Sequence, residues 1–550
     1  MVACVPSAAS EPTTPPRPTQ ATAEAVVARE QETGKQAVGQ PERSATATTG
    51  SRTAATAPPT TAATSTGRAK PRFDIDGDGR DELVVGSSAS PGGFALQVRY
   101  SRVTRRDTVT APAVADPPYR FAPEFTAGDF NGDGFQDLAV AAFRMLSTSA
   151  FEHGIFVYDG GPDGLDRDQA ALLPGLHVGT LAAGDLDNDG DDELAVSDGG
   201  ATPERDGAFR GSVTVLSGTR NGLTLVGSVK VCQVVPRWSG LVDEHFGSQL
   251  AIGDLTGDGY DDLVVNGSRR GTSESDSHGM LTLFPGSTNG PNAAKVTKVE
   301  GQRDTAGDSI PVDVMVMSDL NRDGRADLVL GLPRSSGGRV VYLPGTSAGL
   351  AWAGRRVIDQ DTAGVPDNPD RDANGGHFGE ALATGDVTGD GIPDLLIGAM
   401  TMTVGAVADA GSVTLVPGTP QGPTGAGSIV YTQNVAAGSW PKPQPEFEES
   451  TRALSDRPEP SDYLGSAVAI LDLDGTGPLE MFTEAKYEDM RQQEAGEPYG
   501  LITTLRLQTR SLPGGGPAMS RLVPVAQQRP VDFSGSGFRV NHFGYGLLSG

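Results

Sequence analysis

Residues Asp185 to Glu193 read DLDNDGDDE, and the same nine-residue frame returns as DIDGDGRDE from Asp74, DFNGDGFQD from Asp129, DLTGDGYDD from Asp254, DLNRDGRAD from Asp319, DVTGDGIPD from Asp386 and DLDGTGPLE from Asp472. The starts lie 55 to 86 residues apart, so one unit is repeated seven times with insertions of different length between copies. In every copy positions 1, 3 and 5 carry an oxygen-bearing side chain, position 6 is Gly and position 9 is a carboxylate. An isolated acidic run is a solvated surface. A constant spacing that aims three or four carboxylates at one centre builds up repulsion that only a cation relieves.

Calcium is the cation this pattern suits. It is a hard ion that takes about six to eight oxygens, alternate residues of a tight loop turn their side chains inward, and position 7 offers its backbone carbonyl. The implied ligand sets are Asp74, Asp76, Asp78, Arg80 and Glu82; Asp129, Asn131, Asp133, Phe135 and Asp137; Asp185, Asp187, Asp189, Asp191 and Glu193; Asp254, Thr256, Asp258, Tyr260 and Asp262; Asp319, Asn321, Asp323, Arg325 and Asp327; Asp386, Thr388, Asp390, Ile392 and Asp394; and Asp472, Asp474, Thr476, Pro478 and Glu480. Up to seven structural Ca2+ ions are expected, and Thr476 puts the seventh in question. An EF-hand needs a Glu at position 12, where this chain has Val85, Val140, Val196, Val265, Leu330, Ile397 and Thr483.

The segment after each loop has strand character. Leu83-Val84-Val85, Leu138-Ala139-Val140, Leu263-Val264-Val265 and Leu395-Leu396-Ile397 are short apolar runs bounded by turn residues, as in strands buried on both faces. A second strand opens on Gly, as in Gly154-Ile155-Phe156-Val157 or Gly411-Ser412-Val413-Thr414. A weaker one comes next, as in Gly222-Leu223-Thr224-Leu225 or Gly349-Leu350-Ala351-Trp352. With the strand before each loop this makes four strands per unit. Seven such units predict an all-β chain folded as a seven-bladed β-propeller, since radial closure leaves only short edges. An open solenoid is the alternative and would need capping units at both ends.

Residues 1–70 form the other part of the chain. From about Pro6 to Lys70 the sequence is Ala, Thr, Pro, Ser, Gln and Glu with no aromatic residue, and is expected to be a disordered tail before a propeller over residues 71–550. The formal net charge of -27 argues against nucleic acid or an anionic membrane as partner, and no apolar run has transmembrane length. Met1-Val2-Ala3-Cys4 has the small residues and Cys that end a bacterial lipoprotein signal without the apolar segment that precedes one: either the start lies upstream or the likeness is chance. Cys4 and Cys232 define no disulfide framework.

His245-Phe246-Gly247 before Asp254, His377-Phe378-Gly379 before Asp386 and Tyr463-Leu464-Gly465 before Asp472 resemble the FG-GAP repeat of the integrin alpha-chain propeller and its bacterial secreted relatives. Phe121 takes the Phe position of the second unit, whereas the third and fifth have His177-Val178 and Pro311-Val312 there. The resemblance implies structural calcium, an extracellular or cell-envelope setting and ligands met by loops on one face. The C-terminus repeats the motif as His542-Phe543-Gly544 with no acidic loop after it, while Asp74 opens a loop with no complete Phe-Gly strand before it. Pairing of the two terminal segments within one blade is therefore expected.

Function is less legible. The insertions Gly267 to Ser277, Asp359 to Asn374, Gly438 to Ser461 and Thr483 to Pro498 are candidate binding loops. Trp238, Trp352 and Trp440 share no repeat register, which speaks against aromatic platforms, and Trp352 suits packing. Most histidines sit at corresponding places of different units, so no zinc site is indicated. No G-x-S-x-G elbow or phosphate loop occurs, and no catalytic set stands out. The expected role is a monomeric binding, adhesion or scaffold module for an extracellular protein or glycan. A lectin-like propeller and a secreted hydrolase are the alternatives.

Overall fold

The structure is a computed structural model. It describes residues 5–6 and, between 73 and 547, all but segments 91–92, 102–105, 149, 199–210, 233–241, 271–277, 303–311, 336–337, 367–374, 434–459, 476–477, 487–500, 511–518 and 529–538. The chain divides into two units, one of them Thr13–Lys70, which lies wholly outside the described residues together with most of the expected tail. The described residues belong to the other unit.

The protein is all-β, built of antiparallel four-stranded sheets. The clearest pairs Phe378–Gly385, Asp394–Ala399, Ser412–Val416 and Ile429–Tyr431 in sequence order. The acidic residues 386–393 form the turn between its first two strands. Its second strand is buried throughout, which the run Leu395-Leu396-Ile397 requires of a strand packed on both faces. Sheets starting at Thr180, Leu250, Val314 and Leu464 repeat the order, the first with Val5–Pro6 added parallel to its last strand, opposite Val231 and Cys232. In the one starting at Leu250, a short strand Val242–Glu244 also pairs with Asp262–Arg270.

The sixth sheet has eight strands and contains two units. One is Arg120–Gly128, Asp137–Ser147, Ala150–Tyr158 and Ala171–Pro174. The other brings distant parts of the chain together: Arg539–Leu547 lies antiparallel to Leu83–Ser90, with Phe543 opposite Ser87 and Leu547 opposite Val85, and Gly93–Arg99 and Arg106–Val109 complete it. Phe94 opposite Phe121 links the two units. The expected pairing of terminal segments is thus present.

Three positions of the Phe-Gly register behave alike. Phe378 faces Ala399, Phe121 faces Ala142 and Leu464 faces Ala485, and after each the register shifts before pairing resumes. Such bulges bend a strand locally. The two units without the motif start later, at Thr180 and Val314, with first strands of five residues, and the unit of Phe246 likewise has a short strand, Leu250–Gly253, after its motif.

Three expectations need correction. Gly349-Leu350-Ala351-Trp352 is not a strand: Gly349 closes a turn with a φ of 88°, Trp352–Gly354 is a 3-10 turn, and the fourth strand is Arg356–Ile358. Trp352 packs against the cluster of Leu283, Leu328 and Leu330, with the Arg355 guanidinium 5.0 Å from its ring centre. Gly267 to Arg270 extend the strand Asp262–Arg270, with Gly267 to Arg269 paired to His278–Phe284 and Ser268 to Arg270 paired to Val242–Glu244, so Arg269 and Arg270 are not loop residues. Thr483 to Ala485 likewise complete the strand Glu480–Ala485.

The core lies between sheets. One cluster joins Val265 and Phe284 to Val213 and Val215 of the preceding sheet, and another joins Leu396 and Leu415 to Ile470 and Met481. A larger cluster brings Leu471, Leu473 and Phe482 together with Phe73, Leu83 and Val85.

Candidate metal centres

Position 2 of every loop is apolar, and Ile75, Phe130, Leu186, Leu255, Leu320, Val387 and Leu473 are at most 3% exposed. That side chain anchors the loop in the core and leaves the alternate residues turned outward. The turn then needs two left-handed residues, at positions 4 and 6. They are Asn188 (φ 55°) and Gly190 (95°) in the third loop, Arg322 (58°) and Gly324 (84°) in the fifth. Position 6 is Gly throughout and was visible in the sequence. Position 4 was not, because Asn188 and Arg322 adopt there a conformation that usually selects Gly.

Within the turn the carboxylate at position 1 accepts backbone N–H groups. Asp185 takes Asp189 N–H at 3.1 Å and Gly190 N–H at 3.2 Å, and Asp74, Asp129, Asp254, Asp319 and Asp386 take the corresponding pair. The carboxylate at position 9 is buried and works as a strut. Glu193 accepts Leu186 N–H through Oε2 (2.9 Å) and Gly218 N–H through Oε1 (3.3 Å). Asp394 likewise accepts Val387 N–H (2.9 Å) and Gly418 N–H (3.0 Å), and Asp327 accepts Leu320 N–H and Gly345 N–H. The strut ties the loop to the end of the third strand, a role in the fold that the ligand pattern did not suggest.

These struts are electrostatically unrelieved. Burial, with the carboxylates of Asp76 and Asp74 added, pushes Glu82 up to about 9. Burial beside Asp159 and Asp133 pushes Asp137 to about 8, and burial beside Asp187 pushes Glu193 to about 8. Burial also lifts Asp327 to about 7 and Asp394 to about 6. Carboxylates held this far above their ordinary range are protonated or face a cation. The donor sets suit a hard one. One oxygen each from Asp74, Asp76, Asp78 and Glu82 lie within 4.8 Å of one another, as do oxygens of Asp185, Asp187 and Glu193. Asp187 Oδ1 is buried and accepts no hydrogen bond. A bound calcium would supply two positive charges among these oxygens. The remaining loops, with Asn131, Thr256, Asn321 and Thr388 at position 3, are not among the groups with three such acidic ligands within reach.

Neighbouring loops also hold one another, through position 8. Gln136 N–H donates to Asp74 O (3.0 Å), Asp192 N–H to Asp129 O (2.8 Å), Asp261 N–H to Asp185 O (3.1 Å) and Ala326 N–H to Asp254 O (2.8 Å). Asp81 N–H donates to Asp472 O (3.1 Å), so the last loop meets the first. Three position-8 carboxylates reciprocate: Asp81 accepts Asp472 N–H (2.7 Å), Asp192 accepts Asp129 N–H (2.8 Å) and Asp261 accepts Asp185 N–H (3.2 Å). Pro393 has no N–H to give at this position. Side chains at position 7 cover position 4 of the preceding loop. A Cβ on Gly132 would fall 1.8 Å from Asp191 Oδ1, and one on Gly475 would fall 2.6 Å from Arg80 Nε. Arg80 and Asp191, expected to contribute only carbonyls, thus pack loops together. The acidic doublets Asp81-Glu82, Asp192-Glu193 and Asp261-Asp262 were the available signal for position 8.

The seventh loop departs from the others. Arg506, on the third strand of its sheet, donates from Nη2 (2.7 Å) and Nε (3.0 Å) to Glu480 Oε1, and from Nη2 to Asp474 Oδ2. Leu505 lies opposite Met481, so the register gives Arg506 the place held in the other units by Tyr100, Asp159, Ser217, Pro285, Pro344 and Pro417. Glu480 is raised to about 7, by burial and by Asp474, against the pull of Arg506. Thr476 lies outside the described residues.

The model of the FG-GAP repeat matches residues 246–274 and 378–416, and that of the FG-GAP-like repeat matches residues 74–140. Each span contains an acidic loop of the geometry just described. The chain carries FG-GAP repeats. Among curated proteins it is similar to integrin alpha-7 of Rattus norvegicus, 28% identical over 161 residues, 29% of this chain and 13% of the relative. It is also similar to phosphatidylinositol-glycan-specific phospholipase D of Rattus norvegicus, 37% identical over 123 residues, 20% of this chain and 13% of the relative. The chain therefore spans about an eighth of the length of these relatives. Among solved structures, an exotype rhamnogalacturonan lyase, YesX, aligns with a TM-score of 0.34 at 13% identity over 80% of this chain and 65% of that one, too low a score to bear on fold or activity.

Outside the loops, the rings of His153 and His177 lie with centres 4.0 Å apart and tilted by 38°, and Phe143 and Phe151 flank His153. No helix among the described residues is long and apolar enough to cross a membrane.

Proposed function

We propose that these sheets are the blades of one closed seven-bladed β-propeller whose acidic loops hold structural calcium, and that it is a monomeric extracellular or cell-envelope module for binding, adhesion or scaffolding. The observation that carries the reading is the hydrogen bonding between neighbouring loops, which runs from the first loop to the fifth and joins the seventh to the first, between Asp472 and Asp81, across 391 residues. A row of units open at both ends has no reason to bring its first and last loops together. The strut carboxylates supply the reason for calcium, and the resemblance to integrin alpha chains supports an extracellular binding role.

The ligand-binding face is the end of the sheets opposite the acidic loops. Acidic loops join first strands to second, whereas segments 271–277 and 487–500 join second strands to third, and 367–374 and 434–459 join one sheet to the next. All four insertions thus depart from the same end, and the ligand is an extracellular protein or glycan. Screening the purified chain on protein and glycan arrays, with calcium and with EDTA, tests this. Reproducible capture of one ligand class that calcium sustains is expected. Release of a soluble product from an array glycan would replace the binding reading by a hydrolytic one.

A further inference from the structure

Seven loops share one frame, but the charge of the seventh is balanced differently. Its three acidic ligands, Asp472, Asp474 and Glu480, offer oxygens within 4.8 Å of one another, the grouping that elsewhere calls for an ion. Arg506 is already there. Its guanidinium bonds both Asp474 and Glu480, positions 3 and 9 of the frame, and Nη2 is shared between them. Position 5, Asp in the other six loops, is Thr476. A guanidinium is always charged, presents its donors in a fixed fork and is more weakly hydrated than an ammonium group, which suits it to the buried Glu480 and the partly buried Asp474. A divalent ion placed on the same oxygens would stand against that fork, like charge beside like charge, with one carboxylate fewer to offset it.

We propose that Arg506 is the resident cation of the seventh loop, which closes without metal, so that the chain takes six calcium ions where its seven frames suggest seven. The count of six rests on the calcium reading of the other loops, and the clamp itself does not. Its place gives it a use. The seventh loop bonds directly to the first, between Asp472 and Asp81, where the end of the propeller meets its beginning. A clamp that needs no calcium keeps that junction formed when the ion is scarce and the other loops lose theirs.

Calcium counted by native mass spectrometry on the wild type, R506M and R506K, together with melting in EDTA, tests the assignment. The wild type should hold six ions. R506M, with its stem kept and its charge gone, should hold one more, because the carboxylates of Asp474 and Glu480 are released to a metal beside Asp472. R506K should keep the wild-type count. In EDTA, R506M should melt below the wild type, and saturating calcium should close that gap. A wild type with seven ions, or a folded R506M with no ion gained, would overturn the proposal. If the wild type holds no calcium, the reading of the other loops fails; a lower melting point of R506M in EDTA then still sustains the clamp, and an unchanged one refutes it.

Discussion

The third and seventh loops have the same nine-residue frame and reach electrostatic balance by different routes. In the third, Asp185, Asp187 and Glu193 converge, burial lifts Glu193 to about 8, and Asp187 Oδ1 accepts no hydrogen bond. In the seventh, Asp472, Asp474 and Glu480 converge around Arg506. A repeat therefore preserves the need for a cation more strictly than it preserves the cation's source. On the proposed reading the solvent provides it at one loop, and a neighbouring strand provides it at the other.

Calcium removal should separate the two most sharply. Sites of roughly 10⁻⁴ to 10⁻³ M at about 1 mM ion each contribute about 0.4 to 1.4 kcal/mol of linkage energy, so several emptied together cost a few kcal/mol and a clear drop in Tm. Hydrogen exchange in EDTA should show residues 185–193 losing protection while 472–475 retain it. Uniform loss at both loops would dissolve the distinction, and a melting curve unmoved by chelation would remove calcium from the account.

Next in size is the junction beside the seventh loop. Arg539–Leu547 closes the composite sheet on Leu83–Ser90, so deleting residues 541–550 should lower Tm much more than deleting residues 1–65, and should promote association through the exposed edge. Because hydrogen bonds and not ions hold that junction, the loss should be similar with and without calcium. A C-terminal deletion that stays monomeric with its Tm intact, set against an N-terminal deletion that does not, would disprove the closure.

Acidity offers a smaller contrast. Glu82 and Glu480 occupy the same place, at about 9 and about 7 in the folded protein against an ordinary value near 4.5. In the calcium-free protein the folded state holds a proton that the unfolded chain has already released, so stability falls as pH rises, by up to about 1.4 kcal/mol per pH unit per group. That window runs from about 4.5 to about 9 for Glu82 and closes near 7 for Glu480. Saturating calcium keeps the carboxylates ionised and should flatten the decline. E82Q should remove part of the slope above pH 7, where E480Q leaves it unchanged; equal effects would mean that Arg506 does not distinguish the two loops.

Most of the architecture was legible because it is local. The frame fixes the turn, the apolar run after it fixes the second strand, and His542-Phe543-Gly544 announced a strand whose partner loop stood at the other end of the chain. The features that escaped depend on pairing across the sheet. Arg506 meets Glu480 only because Met481 lies opposite Leu505, and no spacing in the sequence displays that. The double duty of position 9 was hidden because a ligand and a strut call for the same carboxylate. Gly267 to Arg270 looked like a loop because Gly and two arginines are poor signals of a strand, yet pairing on both sides keeps them in the sheet.

The smallest contrast compares single side chains at position 5. In the second loop Asp133 accepts Phe135 N–H at 3.0 Å on an exposed turn, and contributes one of three ligand carboxylates. In calcium, D133A should cost about 1 to 2 kcal/mol, made up of one weak ion and one local hydrogen bond. In EDTA the ion is already gone and removing a carboxylate relieves repulsion, so the cost should shrink to a few tenths of a kcal/mol or change sign. T476A removes a neutral oxygen from a loop that Arg506 already balances, and should stay within about 0.5 kcal/mol of wild type in both buffers. Calcium stoichiometry and thermal midpoints of the two variants decide the point: D133A should lose one ion and T476A none. Equal losses would show that the position-5 side chain is not what commits a loop to metal, and the contrast between the third and seventh loops would then rest on Arg506 alone.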